Sequence, residues 1–371
     1  MHSANIVIFM KKSIFLSSLL AVCVTCVAQA DEVHQEIFIQ NGTKNVDGNL
    51  TVNRLQLGAY AGNVAKLSVT GKTTINSNLT DRNACQVQAG STLESDEIEF
   101  ICSTKGYSKT FSILGTVKTN KFTVSGTEEF PAIFSFTQGK LESLNPEKKG
   151  TLEIGENVQA SVGNGGKSAN VTVDMNTVIN GGTLNVKYYA TMDGITLNGG
   201  TINIINTPDP VWNTKPIEGT IDLGDIIVEN GTLSLQEAAI VSDITMNAGE
   251  LNIIGDVETG ALTLNNCAVN FSADAAIDLG EESLILGDKV AITLNVDSLD
   301  NIEGVTLFKT TGNVTGLDAL TVTFMDATGT TKEAAVSFSN GSVVTSNIPE
   351  PTTATLSLLA LAGLAARRRR K

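Results

Sequence analysis

Apolar and polar residues alternate in short stretches over most of the chain, and from about residue 150 the alternation becomes periodic. The clearest copies are 195–204, 244–253 and 262–271, where two apolar-x-apolar triplets flank a four-residue link. Looser copies begin at 177, 226 and 277, so the steps between successive unit starts are 18, 31, 18, 18 and 15. Alternation with period two places the apolar residues of a triplet on one side of a strand. The pattern therefore predicts two short strands per unit.

The link between the two triplets carries glycine at one equivalent position, at Gly182, Gly200, Gly231 and Gly249. Glycine there indicates a bend with positive φ, which other residues adopt only at a cost. Two strands joined by a sharp corner about every 18 residues predict an all-β fold, a parallel β-solenoid. We expect a right-handed β-helix. A β-sandwich of hairpins is the alternative, and the near-constant step between units disfavours it.

Simple energetics require such units to stack. Four inward side chains per coil stabilise it by roughly 6–12 kcal/mol. Fixing about 18 residues costs on the order of 18 kcal/mol or more in backbone entropy. A single coil is therefore unstable, and only a continuous stack with shared hydrogen bonds and a shared core is expected to fold.

The whole chain divides into five predicted segments. They are a signal peptide (1–30), an irregular β-rich N-terminal section (31–149), solenoid repeats (150–299), a β-rich C-terminal cap (300–348) and a C-terminal tail (349–371). The N-terminal section is interpreted as a distorted part of the same solenoid or as a small cap. In the C-terminal section, Asn340 and Gly341 form a hairpin turn signal. A cap there would protect the open sheet edge of the last coil.

Some side chains recur in register or stand out in the repeats. Asparagine follows the first triplet at 180, 198, 247 and 265, with Glu229 interrupting, which predicts a ladder of amide hydrogen bonds.

Cys267 falls on the glycine corner and is expected to be accessible. The segment 206–217 holds three prolines and Trp212, the one tryptophan. Insertions of this kind often lie on the binding face of a solenoid; packing of Trp212 on the coil is the favoured interpretation, and a sugar-binding loop is the alternative.

The N-terminus is typical of a secretory signal. Lys11 and Lys12 precede an apolar stretch at 14–27, and Ala28 and Ala30 form a small-x-small cleavage pattern. Cleavage by the export machinery, with the secretion translocase as partner, would make Asp31 the first mature residue. A retained anchor is the alternative, but the apolar run is short for a membrane span.

Charge and cysteine content fit an exported protein. Residues 31–348 hold 18 basic against 38 acidic residues, a formal charge of −20, which excludes nucleic acid as a partner. Cys85 and Cys102 flank one strand-like segment, and a disulfide between them is predicted for an oxidising compartment. Buried thiols are the alternative, and the sequence does not separate the two.

The C-terminal tail has three consecutive features. Pro349, Glu350 and Pro351 precede an apolar stretch at 352–366, and the tail ends in the basic residues Arg367, Arg368, Arg369, Arg370 and Lys371. Fifteen helical residues span roughly 22 Å, short of the ~30 Å hydrocarbon core. The positive-inside rule keeps the arginines cytoplasmic. A simple membrane tail does not need the Pro-Glu-Pro triplet.

This tail resembles the PEP-CTERM sorting signal. The resemblance implies a transient anchor in the cytoplasmic membrane, an exosortase-like membrane protease as partner, and delivery to the surface of a Gram-negative bacterium. Family members are often associated with exopolysaccharide or biofilm matrix, so surface glycans are further expected partners. Separately, the Asn-Gly-Gly-Thr repeats resemble the passenger β-helices of autotransporters, although no β-barrel segment follows them.

Nothing in the chain predicts catalysis, a cofactor or a metal site. The segment after residue 30 has one histidine, His34, and lacks a nucleophile elbow, a phosphate loop and a Cys/His metal pattern. Acidic residues such as Asp174, Asp193 and Asp243 form no recurring pair of the kind a glycosidase requires. We expect a structural or adhesive extracellular protein. The alternative is a carbohydrate-active enzyme, a lyase or glycosidase, on the same scaffold.

Overall fold

The computed structural model describes residues 32–58, 62–77, 85–103, 110–163, 170–205, 221–236, 239–300, 302–317 and 320–346. The elements of these ranges are all β-strands. In chain order they are β1 (Glu32–Ile39), β2 (Gly42–Val46), β3 (Leu50–Leu57), β4 (Ala65–Ser77), β5 (Cys85–Val87), β6 (Thr92–Cys102), β7 (Thr110–Ile113), β8 (Thr116–Lys118), β9 (Lys121–Ser125), β10 (Ala132–Phe136), β11 (Gly139–Glu142), β12 (Thr151–Ile154), β13 (Val158–Val162), β14 (Val171–Asp174), β15 (Asn176–Val186), β16 (Ala190–Met192) and β17 (Ile195–Ile204). They continue with β18 (Ile221–Leu223), β19 (Ile226–Val228), β20 (Thr232–Gln236), β21 (Ala239–Val241), β22 (Ile244–Met246), β23 (Gly249–Ile254), β24 (Val257–Thr259), β25 (Leu262–Leu264), β26 (Cys267–Phe271), β27 (Ile277–Asp278), β28 (Leu284–Leu286), β29 (Ala291–Asn295), β30 (Thr306–Lys309), β31 (Val314–Thr315), β32 (Thr321–Met325), β33 (Thr331–Ser339) and β34 (Ser342–Ser346).

The strands stack in parallel on three faces, which confirms the solenoid. Face A contains β18, β21, β24 and β27, face B contains β19, β22, β25 and β28, and face C contains β20, β23, β26 and β29. Each coil therefore has three strands, so the prediction of two was wrong by one. The missed strand, on face A, is very short in these coils and lies in what looked like a linker between units.

The predicted register holds for most of the repeats. The unit starts at 177, 195, 226, 244 and 262 pair in sequence on face B. Two residues after the last four of these starts, the side chains form one fully buried column, which consists of Leu197, Val228, Met246 and Leu264. The sixth unit was misplaced, because Ile277 pairs with Val257 on face A. Leu284 is the residue that follows Leu262 on face B.

The glycine corner between faces B and C is tight. Gly200, Gly231 and Gly249 have positive φ, as predicted, whereas at the coil of Gly182 the positive φ falls on Gly181. A Cβ on Gly249 would lie 2.2 Å from the carbonyl oxygen of Gly231, below any real contact. Stacked coils thus approach each other too closely at this corner for a side chain.

The N-terminal section belongs to the same solenoid. Parallel pairing begins with β1 on β3 and continues past residue 150 without a change of direction, and the antiparallel pairs of the described strands lie beyond residue 300, in the predicted cap. Face B of these coils includes β9 and β12, and face C includes β7, β10 and β13. Four buried aromatic rings stack here with centroids 5.0–6.1 Å apart, namely Phe100, Phe111, Phe122 and Phe134.

The two ends of the described rod are closed in different ways. At the C-terminal end β33 pairs antiparallel with β32 and β34, around a turn in which Asn340 and Gly341 both have positive φ. At the N-terminal end, Glu32 and His34 pair with the buried Leu50 and Val52, and Lys44 with the buried Leu67. These three polar side chains end core-facing columns, and Glu32 Oε2 lies 2.7 Å from His34 Nε2 and accepts a hydrogen bond from Lys44 Nζ at 2.8 Å. They form an ionic plug, as expected of a polar terminal cap.

Candidate functional site

The predicted export and binding residues fall largely outside the described ranges. This holds for the cleavage residues Ala28, Ala30 and Asp31, for the loop of Trp212, and for the tail residues Pro349, Glu350, Pro351 and Arg367–Arg370. The structure therefore describes the rod between the two predicted targeting segments.

The predicted disulfide is not formed. Cys85 and Cys102 are buried thiols that are not bonded to one another. Cys85 lies on face C beside Phe111, whereas Cys102 ends β6 on face B beside Ser77. The two residues therefore lie on different faces of the solenoid. Cys267 is 4% exposed rather than accessible, and burial raises its thiol pKa to about 11. Sequence spacing gave no information on which face each strand occupies.

Amide side chains form two ladders along the repeats. In the predicted ladder after face B, Asn198 donates to Asn180 Oδ1 at 2.8 Å, and Asn247 donates to Glu229 Oε2 at 3.0 Å. Glu229 thus takes part in the ladder instead of interrupting it. The pattern confirms a structural use of these amides.

A second amide ladder on the outside of face C was missed. Asn203 donates to Asn185 at 3.0 Å and Asn270 to Asn252 at 3.0 Å, while Asn252 lies 3.5 Å from Ser234 Oγ. The sequence signal for this ladder is the polar middle residue of the second triplet. That residue is asparagine at four of five positions, namely Asn185, Asn203, Ser234, Asn252 and Asn270. Neighbouring strands lie about 4.8 Å apart, a distance that one amide bond spans.

The N-terminal coils are linked by ion pairs in addition to amide bonds such as that from Asn53 to Gln35 Oε1 at 2.8 Å. Lysine bridges neighbouring coils in Lys66–Glu94, Lys72–Glu99, Lys118–Glu142 and Lys121–Glu153, with Nζ–O distances of 2.8–3.1 Å. Burial raises the pKa of Glu94, but hydrogen bonds from Lys66 and Ser68 outweigh it and leave the pKa below its ordinary value. The same balance, with Lys44 and His34 as donors, lowers the pKa of Glu32.

The two halves of the rod differ sharply in charge. Residues 32–193 hold 14 lysines and arginines against 16 acids, whereas residues 194–348 hold 4 against 21. From 216 to 288 the sequence has 14 acids and no lysine, arginine or histidine. An anionic polymer is therefore repelled by the C-terminal half and much less by the N-terminal half.

Asp174 and Asp193 form a carboxyl pair in which the pKa of Asp174 is raised. The hydrogen bond between them raises the pKa of Asp174, burial and the Asp193 charge add to this, and Lys149 opposes it. Lys149 contacts both carboxylates, and the side chains of Asp174 and Asp193 are 61% and 35% exposed. Glycosidases hold their two carboxyls about 5 Å or more apart around the reacting sugar. Here both carboxylates instead form ion pairs with the Lys149 ammonium.

A groove lies at the corner between faces A and B, beside the loop 143–150. In the neighbouring coils this corner is short, with two residues between β8 and β9 and one between β14 and β15, but eight residues separate β11 from β12. The groove has a volume of about 710 Å³. We call it the corner groove; its lining residues are Asp96, Asn120, Lys121, Asn145, Lys148, Lys149, Gly150, Thr151, Glu153 and Val178.

The corner groove is almost entirely polar. Lys121 is paired with Glu153 and Lys149 with Asp193, while Lys148 has no ion-pair partner in the described part of the chain. The wall is held in place by Asn145, whose backbone N–H donates to Asn120 Oδ1 at 3.2 Å. Asn120 in turn donates to Asp96 at 2.7 Å. Side chains from successive coils thus line one groove.

The described ranges contain neither a metal-binding cluster nor a membrane-spanning helix. Across these residues, no group of three or more histidine, cysteine, aspartate or glutamate side chains is arranged to hold a metal ion. Nor do these residues contain a helix of the length and apolarity needed to cross a membrane. The tail predicted to form such a helix lies outside them.

Together the three parallel faces, the shared aliphatic core and the capped ends define a β-solenoid rod. The family described as PEP-CTERM protein-sorting motif matches residues 347–371. The chain is thus a β-solenoid protein with a PEP-CTERM sorting signal, which marks it for export and for processing by an exosortase, a membrane protein, toward the cell surface. No curated protein and no solved structure matches the chain.

Proposed function

We propose that the protein is a structural or adhesive component of the cell surface or exopolysaccharide matrix, and that it acts without catalysis. The observation that carries the proposal is the sorting motif at 347–371 on a continuous solenoid. A solenoid with polar ladders and closed ends is suited to present a long, regular surface. The acidic C-terminal half favours solubility and resists self-association.

The location is tested by fractionating cells that express three forms of the full chain. The native chain is expected at the surface or in the medium. A variant with Pro349→Ala, Glu350→Ala and Pro351→Ala keeps the apolar stretch and the arginines, and it is expected to stay in the membrane. Deletion of 349–371 is expected to leave the protein in the periplasm. The location is wrong if the triple variant reaches the same place as the native chain.

The competing function is a carbohydrate-active enzyme on the same scaffold. The carboxyl pair Asp174 and Asp193 is the feature to test, because the two side chains share Lys149 and the pKa of Asp174 is raised. The full chain and its Asp174→Asn variant are incubated with uronate-containing and neutral glycans. Release of unsaturated or reducing sugars by the native chain, lost in the variant, would overturn the non-catalytic proposal. We expect no release from either protein.

A further inference from the structure

We infer that the corner groove binds carboxylate groups of an acidic polysaccharide, with Lys148 as the cation that receives them. The inference rests on the proposed function, since it names the class of matrix polymer that the rod would hold. Three observations support it: the hydrogen-bonded wall of the groove, the ion pairing of its lysines, and the nearly balanced charge of the N-terminal half around it.

The wall of the groove is organised before any ligand arrives. The Glu147 backbone N–H donates to Asn145 Oδ1 at 3.0 Å, the Lys148 N–H donates to the Asn145 carbonyl at 3.1 Å, and Ser143 Oγ donates to the Lys148 carbonyl at 2.6 Å. These bonds fix the backbone on both sides of Lys148. A fixed wall reduces the ordering cost of binding. Long insertions at one corner of a solenoid often carry its binding function.

The floor of the groove suits a sugar ring. It is the outer side of face B, where Lys121 pairs with Thr151, and Glu153 with Val178, in parallel register. Val178 offers the apolar side chain of the lining, while the carboxylate of Glu153 and the hydroxyl of Thr151 can bond to sugar hydroxyls. The coil spacing of about 4.8 Å is close to the length of one sugar unit, so neighbouring units can meet neighbouring coils.

The charge of the ligand follows from the lysines. Lys121 and Lys149 are engaged by Glu153 and Asp193, and Asp96 accepts a hydrogen bond from Asn120, which leaves Lys148 as the lysine of the groove without an ion pair among the described residues. The groove also lies in the half with 14 basic against 16 acidic residues, where an anionic polymer meets little repulsion. A neutral glycan would have no need of an unpaired cation, so a uronate polymer fits best.

The test measures binding of the full chain, in mild detergent, to polygalacturonate and to neutral dextran. We expect binding to polygalacturonate that weakens as salt rises from about 0.05 to 0.3 M, and no binding to dextran. Lys148→Gln is expected to weaken binding about threefold to tenfold, the effect of one exposed charged contact. Lys332→Gln, an exposed lysine of the C-terminal cap, is the matched control and should leave binding unchanged.

Several results would overturn the inference. They are no binding of polygalacturonate, equal binding of dextran, or equal weakening by Lys148→Gln and Lys332→Gln. The last result would show diffuse attraction without a site. The measurement uses purified protein and is independent of sorting, so it can fail while the surface location stands, and the reverse is also true.

Discussion

Residues 32–193 and 194–346 form consecutive halves of one solenoid, and the coils around β6 and β9 in the first differ in length, core and surface from those between β19 and β26 in the second. In the first half Phe100 pairs with Val124, whereas in the second Met246 pairs with Leu264, so the chain follows a longer path around the earlier coil. The longer coils enclose stacked phenylalanines, while the shorter coils between β19 and β26 are filled mainly by leucine, isoleucine, valine and methionine. Ion pairs link the longer coils and amides the shorter ones.

The difference teaches how coil regularity selects surface chemistry. An asparagine side chain is short, so it reaches the next coil only when equivalent residues stand directly above each other. The constant coil length meets this condition for Asn252 and Asn270, which pair in register. A lysine side chain is long and flexible, so Lys121 reaches Glu153 on the next coil although its own partner in the register is Thr151. Lysine can therefore link coils of unequal length, whereas a continuous amide ladder needs coils of constant length.

The largest expected effect concerns the two cores. Phe122 is fully buried, with ring centroids 5.0 Å from Phe111 and 5.4 Å from Phe134. Phe122→Ala removes a large ring that two other rings contact, and it should lower the free energy of unfolding by about 3–5 kcal/mol. Leu264→Ala, in a buried column of the regular half, should cost about 2–4 kcal/mol. Urea denaturation of both variants gives the comparison.

A smaller loss for Phe122→Ala than for Leu264→Ala would show that the aromatic stack is loosely packed. Aromatic residues would then be incidental to the longer coils, and the proposed link between coil size and core composition would be lost.

The next effect concerns the glycine corner that makes the short coils possible. Gly249→Ala places a methyl group 2.2 Å from the Gly231 carbonyl oxygen at a φ of 102°. The clash and the strained φ together should cost about 2–4 kcal/mol. Gly304→Ala is the matched control, since its φ is 76° but nothing lies within 4 Å of the added methyl. That variant should cost about 1 kcal/mol, from φ alone. Equal losses in thermal or urea unfolding would contradict crowding at the corner.

How much the sequence predicted follows the same division. Alternation and the near-constant step between units predicted the fold class, the register of Leu197, Met246 and Leu264, and one amide ladder. Faces A and C of the longer coils were not assigned, because those coils have no fixed step and their strands differ in length. Periodicity detects only what repeats.

The candidate site was less predictable. The corner groove depends on a loop between β11 and β12 that is unlike the same corner in the neighbouring coils, and the residues that hold it are distant in sequence. The ionic plug was missed because Glu32, His34 and Lys44 look like ordinary surface residues until strand register puts them in core-facing columns. The disulfide between Cys85 and Cys102 was predicted from spacing alone and failed, because the two strands lie on different faces.

The smallest expected effect separates the two kinds of ladder by pH. The pKa of Glu94 is lowered in the folded chain, so its ion pair adds stability above the unfolded value of about 4.5 and loses it as the pH falls through the folded pKa. Glu94→Gln should therefore cost about 0.5–1 kcal/mol at about pH 7, and almost nothing at about pH 3. Asn203→Ala removes a neutral amide bond to Asn185, so it should cost about 1 kcal/mol at both pH values. Comparing each variant with the native chain at the same pH, by urea denaturation, cancels the titration of all other acids. A loss that shrinks in acid for both variants, or for neither, would show that the two halves do not differ in how their coils are linked.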